Sequence, residues 1–478
     1  MKMNMRNRYH DVRRVLVTAG VVASAALAAG CSTDSLLEAK DPDLINPTDI
    51  QSADGANAVR LGAMRRWTQV TAGPNSNGNE STWLFGGLLV DEWGTASTFV
   101  QNDQVDERRA TSDNATVTNA FRSLNRVRTA VNQALPLMYT FRPTEATNIA
   151  ELYFARAFAE MQLASDFCNG IPLSDASNPD GSITFGNPLS VDSVFKIAMT
   201  TADSGIALAT ATDTATVNIL NGLRVIKARA QLGLDLKAAA GATASAVPTT
   251  FVYNHTYSTG AGTNGIWGQP MSNRRYLVGD SVEGNARNLL VANAIPFFSA
   301  NDPRLPAKFT ITVTGTRTDT TKSQDGLTNS RTTTLYDQTT SIAVTSGLDA
   351  RLIEAEAALA AGNVNGANGM IPILNTLRGQ RFQLGTVLSP VMAPLADPGT
   401  AAGRIDLLFR EKAFWTFTRG QRLEDMRRLV RYYGRASTSV YPEGVHYRGG
   451  NYGTDVTLLV PQEEQNNPNF KGCTDFKP

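Results

Sequence analysis

Paired helical stripes of apolar residues, closed by Gly–Asn turns, constrain this chain more than any other feature. Over 347–361, Leu348, Leu352, Ala355 and Leu359 fall on one face at three- and four-residue spacing, the period an amphipathic helix needs. Gly362–Asn363 ends that helix, and Ala367, Ile371, Leu374 and Leu377 form the stripe of a second one over 365–381. The small side chains of Ala355, Ala358 and Ala367 let the two approach closely. Looser versions pair 117–139 with 144–167 and 191–211 with 217–239. Further helices are predicted over 53–70 and 404–433. A single stripe cannot be left facing water, so each pair must stack on another.

Self-similarity at about 34 residues is the mark of tetratricopeptide-like hairpins. The predicted fold class is therefore mainly α: hairpins in an α–α superhelix, with a loop-rich face and minor β. Such repeats specify a shape and leave the ligand open. Between 240 and 343 the composition turns to Thr, Gly, Ser, Asn and aromatics, and Thr310–Thr314 alternates as a short strand does. The stretch 71–80 is rich in Gly and Asn and reads as a loop. A second irregular stretch, 437–469, sets Tyr441, Tyr447 and Tyr452 among glycines. Long loops without helices of their own are usually functional or disordered.

The N-terminus reads as an address rather than as fold. Lys2, Arg6, Arg8, Arg13 and Arg14 precede an apolar run from Val15 to Ala29, the order of a secretory signal. The run is shorter than the ~20 residues a spanning helix needs. It ends in Leu27-Ala28-Ala29-Gly30-Cys31, which matches a lipobox. The expectation is cleavage before Cys31 and lipidation of its thiol, with residues 1–30 as signal and 31–50 as a polar, Pro-containing tether. Three acyl chains on one residue exceed what stable anchoring requires. A secreted soluble chain with an incidental cysteine is the plainer alternative, and Arg13–Arg14 leaves twin-arginine export open.

Without residues 1–30, 39 basic and 42 acidic residues remain, a net charge of −3. That balance lacks the basic footprint of a nucleic-acid binder. With Cys31 given to lipid, only Cys168 and Cys473 remain. In an oxidising compartment they are free to pair, or to lie apart as small buried apolar residues. His10, His255 and His446 are the only histidines, too few for the usual zinc spacings. No nucleophile elbow, His-Glu-x-x-His or phosphate-cradling Gly-rich loop is present. Asp91–Glu92 is a carboxylate pair, but neighbours in one element rarely flank a substrate at the ~5–10 Å that glycoside hydrolysis requires. Solvated or salt-bridged acids are the simpler reading. The chain is expected to be no enzyme and to use no cofactor or metal.

Several segments, in order, resemble the SusD/RagB family. After the lipobox and tether, Leu124-Asn125-Arg126 through Leu135 looks like the family's first hairpin helix. Glu151-Leu152-Tyr153-Phe154-Ala155-Arg156-Ala157, running on to Asp166-Phe167-Cys168-Asn169-Gly170-Ile171-Pro172-Leu173, is similar to its most recognisable stretch, with Cys168–Asn169 inserted before the glycine. Asp302-Pro303-Arg304-Leu305 matches a mid-chain element, and 351–378 fits the Ala-Glu-Ala hairpin. The segment 405–428 resembles the C-terminal signature, with Arg410–Glu411 in permuted order, and 461–468 resembles the closing Pro-x-x-Glu…Asn-Pro. The resemblance covers nearly all of 51–478 as one domain, with tetratricopeptide-like helices about 117–239 and 347–381, a loop-rich insert about 240–343 and a C-terminal helix and tail over 404–478. It implies capture of an oligosaccharide, or of a peptide, at the outside of an outer membrane. It also implies a TonB-dependent transporter, SusC-like, as partner. A free tetratricopeptide-type interaction scaffold is the reading outside that class.

A glycan binder needs rigid aromatic faces beside planar polar groups. The segment 82–109 offers Trp83, Phe85, Trp93, Phe99, Asn102, Asp103, Arg108 and Arg109, and the insert offers Tyr257, Trp267, Arg274, Arg275 and Tyr276. The resemblance places the first of these segments at the ligand face. Trp83, Phe85 and Trp93 fit a hydrophobic core equally well. On the 422–430 helix, Leu423, Met426, Leu429 and Val430 form an apolar stripe, while Arg422, Asp425 and Arg428 are expected to face elsewhere and pair locally. That helix reads as structural.

Overall fold

A computed structural model of the chain describes residues 50–72, 81–178, 180–283 and 287–478. The leader 1–30 and Cys31 lie outside the described residues, as does most of the 71–80 loop. Residues Gln51–Pro478 form one compact unit. Its helices are α1 (Ala53–Ala72), α2 (Thr82–Leu89), α3 (Val100–Asp106), α4 (Ala115–Phe141), α5 (Ala146–Asp166), α6 (Val191–Leu208), α7 (Thr214–Gly233), α8 (Lys237–Ser245), α9 (Gly347–Ala360), α10 (Met370–Arg378), α11 (Ala401–Trp415) and α12 (Arg422–Tyr432). No described helix is long and apolar enough to cross a membrane.

The predicted hairpins are present and stack in series. α4 packs on α5, α5 on α6, α6 on α7 and α7 on α8, and α9 then closes against α8 and α10. Caps fix where they begin. The Asn114 side chain accepts from the backbone of Thr116 and Val117, Ser190 caps α6, Asp213 caps α7, and Ser346 with Asp349 forms a capping box on α9. Close approach comes from small residues: Gly222 of α7 lies flat on the Phe154 ring of α5, where a Cβ would come within 2.3 Å.

Three predicted helices change at their ends or break. The 217–239 segment divides into α7 and α8 at Leu234–Leu236, where Asp235 takes a φ of 61°. The 365–381 segment contracts to α10, because Asn363, Gly366 and Asn368 (φ 55°) hold a turn before it. The 404–433 segment is two helices, turned sharply at Thr416–Gln421 by Thr418 (φ 68°) and Gly420 (φ 61°). Helical periodicity continues through that turn, so the stripe alone does not reveal it.

Between α8 and α9 the chain builds short antiparallel pairs that lie over the helices. Val252–His255 pairs with Ile342–Ser346, Ala307–Phe309 with Arg331–Thr333, and Ile311–Thr314 with Arg317–Thr320. The disulfide Cys168–Cys473, with Cα atoms 5.6 Å apart, ties the C-terminal tail to the end of α5.

The α12 helix corrects one expectation. Arg422, Asp425 and Arg428 are buried along with Leu423, Met426 and Leu429, whereas Val430 is only half-buried. Arg428 does pair locally with Asp425, and it reaches Glu356 of α9 as well. Lys412 bridges Glu356 and Asp425 at 2.8 Å each. Arg422 leaves its helix to grip both oxygens of Asp91 at 2.8 Å. Polar residues at helical spacing look like a solvated face, but here they are partners for charges on other elements.

Candidate functional site

One surface region gathers residues from both candidate segments. Trp93–Thr95 pairs antiparallel with Tyr276–Val278, and the Ala96 amide donates to the Arg275 carbonyl at 2.7 Å. This short ladder sets Phe99, at the start of α3, beneath Arg275. The guanidinium carbon of Arg275 stands 4.1 Å from the Phe99 ring centroid, and its Nη1 donates to Ser97 Oγ at 3.3 Å. Phe99 remains 46% exposed. A ring braced on a cation and open to water is a ready platform for an apolar ligand face.

Polar groups surround it. Thr95 Oγ1 donates to Asp103 Oδ1 at 2.9 Å, and Arg448 lies 3.4 Å from the same oxygen and 3.7 Å from Asp325. Arg448 also donates to the Ser97 carbonyl at 2.5 Å. Burial pushes the Asp103 carboxyl up to about 6, against the pull of Arg448 and the Thr95 hydroxyl. Below this layer, buried His446 meets Asp106 at 3.2 Å, and Asp106 also takes the Thr95 amide at 2.8 Å. The loop that carries His446, Tyr447 and Arg448 is held again by Arg109, whose guanidinium donates to the Asn451 carbonyl.

The candidate residues therefore divide. Phe99 and Arg109 are exposed, and Asp103 and Trp267 are half-buried. Trp83, Trp93, Asn102 and Tyr276 are buried. Trp83 packs on Phe158 and under Gly420, Trp93 packs at a tilt against Phe417 with ring centroids 5.1 Å apart, and Tyr276 sits inside the ladder. Asn102 spends its side chain on Ser97 and Thr116. Of the two readings left open for Trp83 and Trp93, the structure has the core one. The sequence reading missed Arg448, Asp325 and the pairing role of Ser97. Only the tyrosines among glycines at 437–469 pointed toward that loop.

The Asp91–Glu92 pair does not open onto a shared cleft. Asp91 is saturated by Arg422, and Glu92 is fully buried, its carboxyl pushed up to about 8 by burial and then by the Asp91 charge. Among the described residues no group of three or more His, Cys, Asp or Glu is placed to hold a metal.

No protein-family model and no curated protein sequence matches the chain. Solved structures do. A SusD superfamily protein from Parabacteroides distasonis is 15% identical, with 88% of this chain and 99% of that one aligned at a TM-score of 0.59. The chain has the SusD fold. A surface glycan-binding protein A from Bacteroides uniformis shares this SusD fold at 12% identity, with 88% and 99% coverage and a TM-score of 0.58. A SusD-like carbohydrate binding protein from Bacteroides vulgatus does so at 14% identity, 88% and 97% coverage and a TM-score of 0.57. Within the SusD fold of this chain, the 93–103 segment, the insert and the 437–469 loop together form the Phe99 face.

Proposed function

We propose that this chain is a cell-surface member of the SusD/RagB family that captures an oligosaccharide and passes it to a TonB-dependent, SusC-like outer-membrane transporter. The observation that carries the reading is the exposed Phe99 ring, braced by Arg275, with Asp103 and Arg448 bonded to the adjoining Thr95–Ser97 segment. An aromatic face covers the apolar side of a pyranose, and carboxylate and guanidinium groups take its hydroxyls. The glycan-binding proteins that share the fold support the same ligand class. The function is binding without chemistry, and it uses no cofactor. The lipobox ending at Cys31 supports attachment to the outer membrane through lipid, facing the exterior.

Titration of the protein with oligosaccharide and peptide panels tests the ligand class. Saturable binding of an oligosaccharide that is lost in Phe99→Ala supports the reading. Binding confined to peptides would assign capture of peptides to the same architecture. Cys31→Ala is expected to move the protein out of the membrane fraction, and co-purification of a large β-barrel with the native protein would identify the transporter.

A further inference from the structure

A second cavity, separate from the Phe99 face, lies where the Thr416–Gln421 turn meets the insert. It encloses about 90 Å³ and is walled by Phe251, Tyr336, Phe382, Trp415 and Phe417, with Val252 and Leu384 among its lining residues. Two guanidinium groups, Arg304 and Arg419, line it, and no carboxylate does. Its two arginines differ in what they have left to give. Arg304 spends its donors on Asp302 and Glu411. Arg419 gives Nε to the Ala343 carbonyl at 3.0 Å and Nη2 to Asp349 at 2.6 Å, and its Nη1 has no acceptor among the described residues. Tyr336 accepts from Thr418 at 3.0 Å and keeps its own hydroxyl proton to give. Trp415 Nε1 is buried with no acceptor among the described residues. A buried donor left unmade costs about 1–3 kcal/mol, so the Trp415 Nε1 group favours a ligand that brings an acceptor.

The backbone beside it is strained in a way that shapes this wall. Thr418 is β-branched yet holds a φ of 68°, a conformation such residues rarely keep without a reason in their surroundings. That conformation aims Thr418 Oγ1 at Tyr336 and its amide at Glu92, and it places Phe417 and Arg419, its two neighbours, on the cavity.

We infer that this cavity binds a small monocyclic aromatic carboxylate, its ring among the aromatic side chains and its carboxylate on Arg419 Nη1. The size admits only a small ring: an engineered apolar cavity of about 150 Å³ holds benzene, and this smaller, partly open one takes a ring only with its substituent toward the rim. The polar group fits too: Arg419 shares its charge with Asp349 but keeps Nη1 to give, and a guanidinium binds carboxylates with directed hydrogen bonds.

Calorimetric titration of the full chain with benzoate, and with benzamide as its neutral isostere, tests the inference. Benzoate is expected to bind saturably and at least tenfold more tightly than benzamide. Arg419→Gln should remove that preference, and Leu384→Trp, a rim substitution that spares the Asp349 pair, should weaken benzoate at least tenfold. Phe99→Ala should leave benzoate binding unchanged, which separates this site from the proposed glycan face. No saturable binding, equal affinity for the two probes, indifference to Leu384→Trp, or loss in Phe99→Ala would each overturn it.

Discussion

Arg275 holds its guanidinium carbon 4.1 Å above the centre of the Phe99 ring, while Phe99 keeps nearly half its surface open to water. The two residues come from segments more than 170 positions apart, joined by the Thr95–Tyr276 end of a three-residue ladder. Replacing Phe99 by Ala is therefore expected to weaken oligosaccharide binding by about 1–3 kcal/mol, in the range of a stacking anchor. Its thermal midpoint should shift little, because an exposed ring contributes little to the core. A steep fall in midpoint with binding intact would assign Phe99 to packing instead.

Asp103 supplies a pH dependence. Its carboxyl titrates near 6 rather than 3.8, because burial disfavours its charge. A raised folded-state pKa means that the stabilising contribution of the protonated form is fully present below the unfolded value and is lost as pH rises through about 6. The same protonation removes the negative partner of Arg448. Oligosaccharide affinity should therefore change between pH 5 and 7 with a midpoint near 6, and Asp103→Asn should flatten that step. A step that persists in the variant would place the titrating group elsewhere.

Two tryptophans chosen from the sequence for the same reason are expected to behave differently. Trp93 is buried on Phe417, so Trp93→Ala should cost about 3–5 kcal/mol of stability as a large-to-small core change. Trp267 is half-buried at the end of a short helical turn capped by Asn264. Its substitution should cost little stability and lower ligand affinity if the ring meets ligand. Paired melting and titration of the two variants separates the outcomes.

The contrast shows what the sequence could and could not reveal. The stripe of Leu348, Leu352 and Ala355 records burial on a neighbouring helix, so the hairpins were legible along with most of their boundaries. The turn at Thr418 and Gly420 was not, because its cause is tertiary: a glycine against Trp83 and a threonine held by Glu92 and Tyr336. Trp, Asn and Arg in a loop-rich stretch look alike whether they face a ligand or a core. The choice between Trp93 and Phe99 was made by the ladder to Tyr276, and Arg448 reaches the site from a loop some 350 residues further on.

The Cys168–Cys473 bridge spans a separation of 305 residues. The chain-entropy model gives such a loop on the order of 5 kcal/mol, with measured values often lower. Cys473→Ser should lower the thermal midpoint and free the tail, raising proteolysis after residue 460 ahead of global unfolding. An unchanged midpoint with two free thiols in the unfolded, unreduced protein would show that the bridge does not form.

The Arg422–Asp91 pair joins α12 to the chain just after α2, and both partners are buried. Arg422→Ala would leave the Asp91 carboxylate buried beside Glu92 without its cation, a loss of about 3–5 kcal/mol. Burial and the Asp91 charge already push the Glu92 carboxyl up to about 8, so this neighbour offers no cation to replace Arg422. Changing both residues, Asp91→Leu with Arg422→Met, removes the charges together and should recover most of that loss, since apolar replacements of buried pairs are often neutral. Chemical denaturation of the two single variants and the double variant measures the coupling. Additive losses would mean that the pair contributes through packing alone, and a double variant far more stable than the sum of the singles would assign its energy to the ion pair.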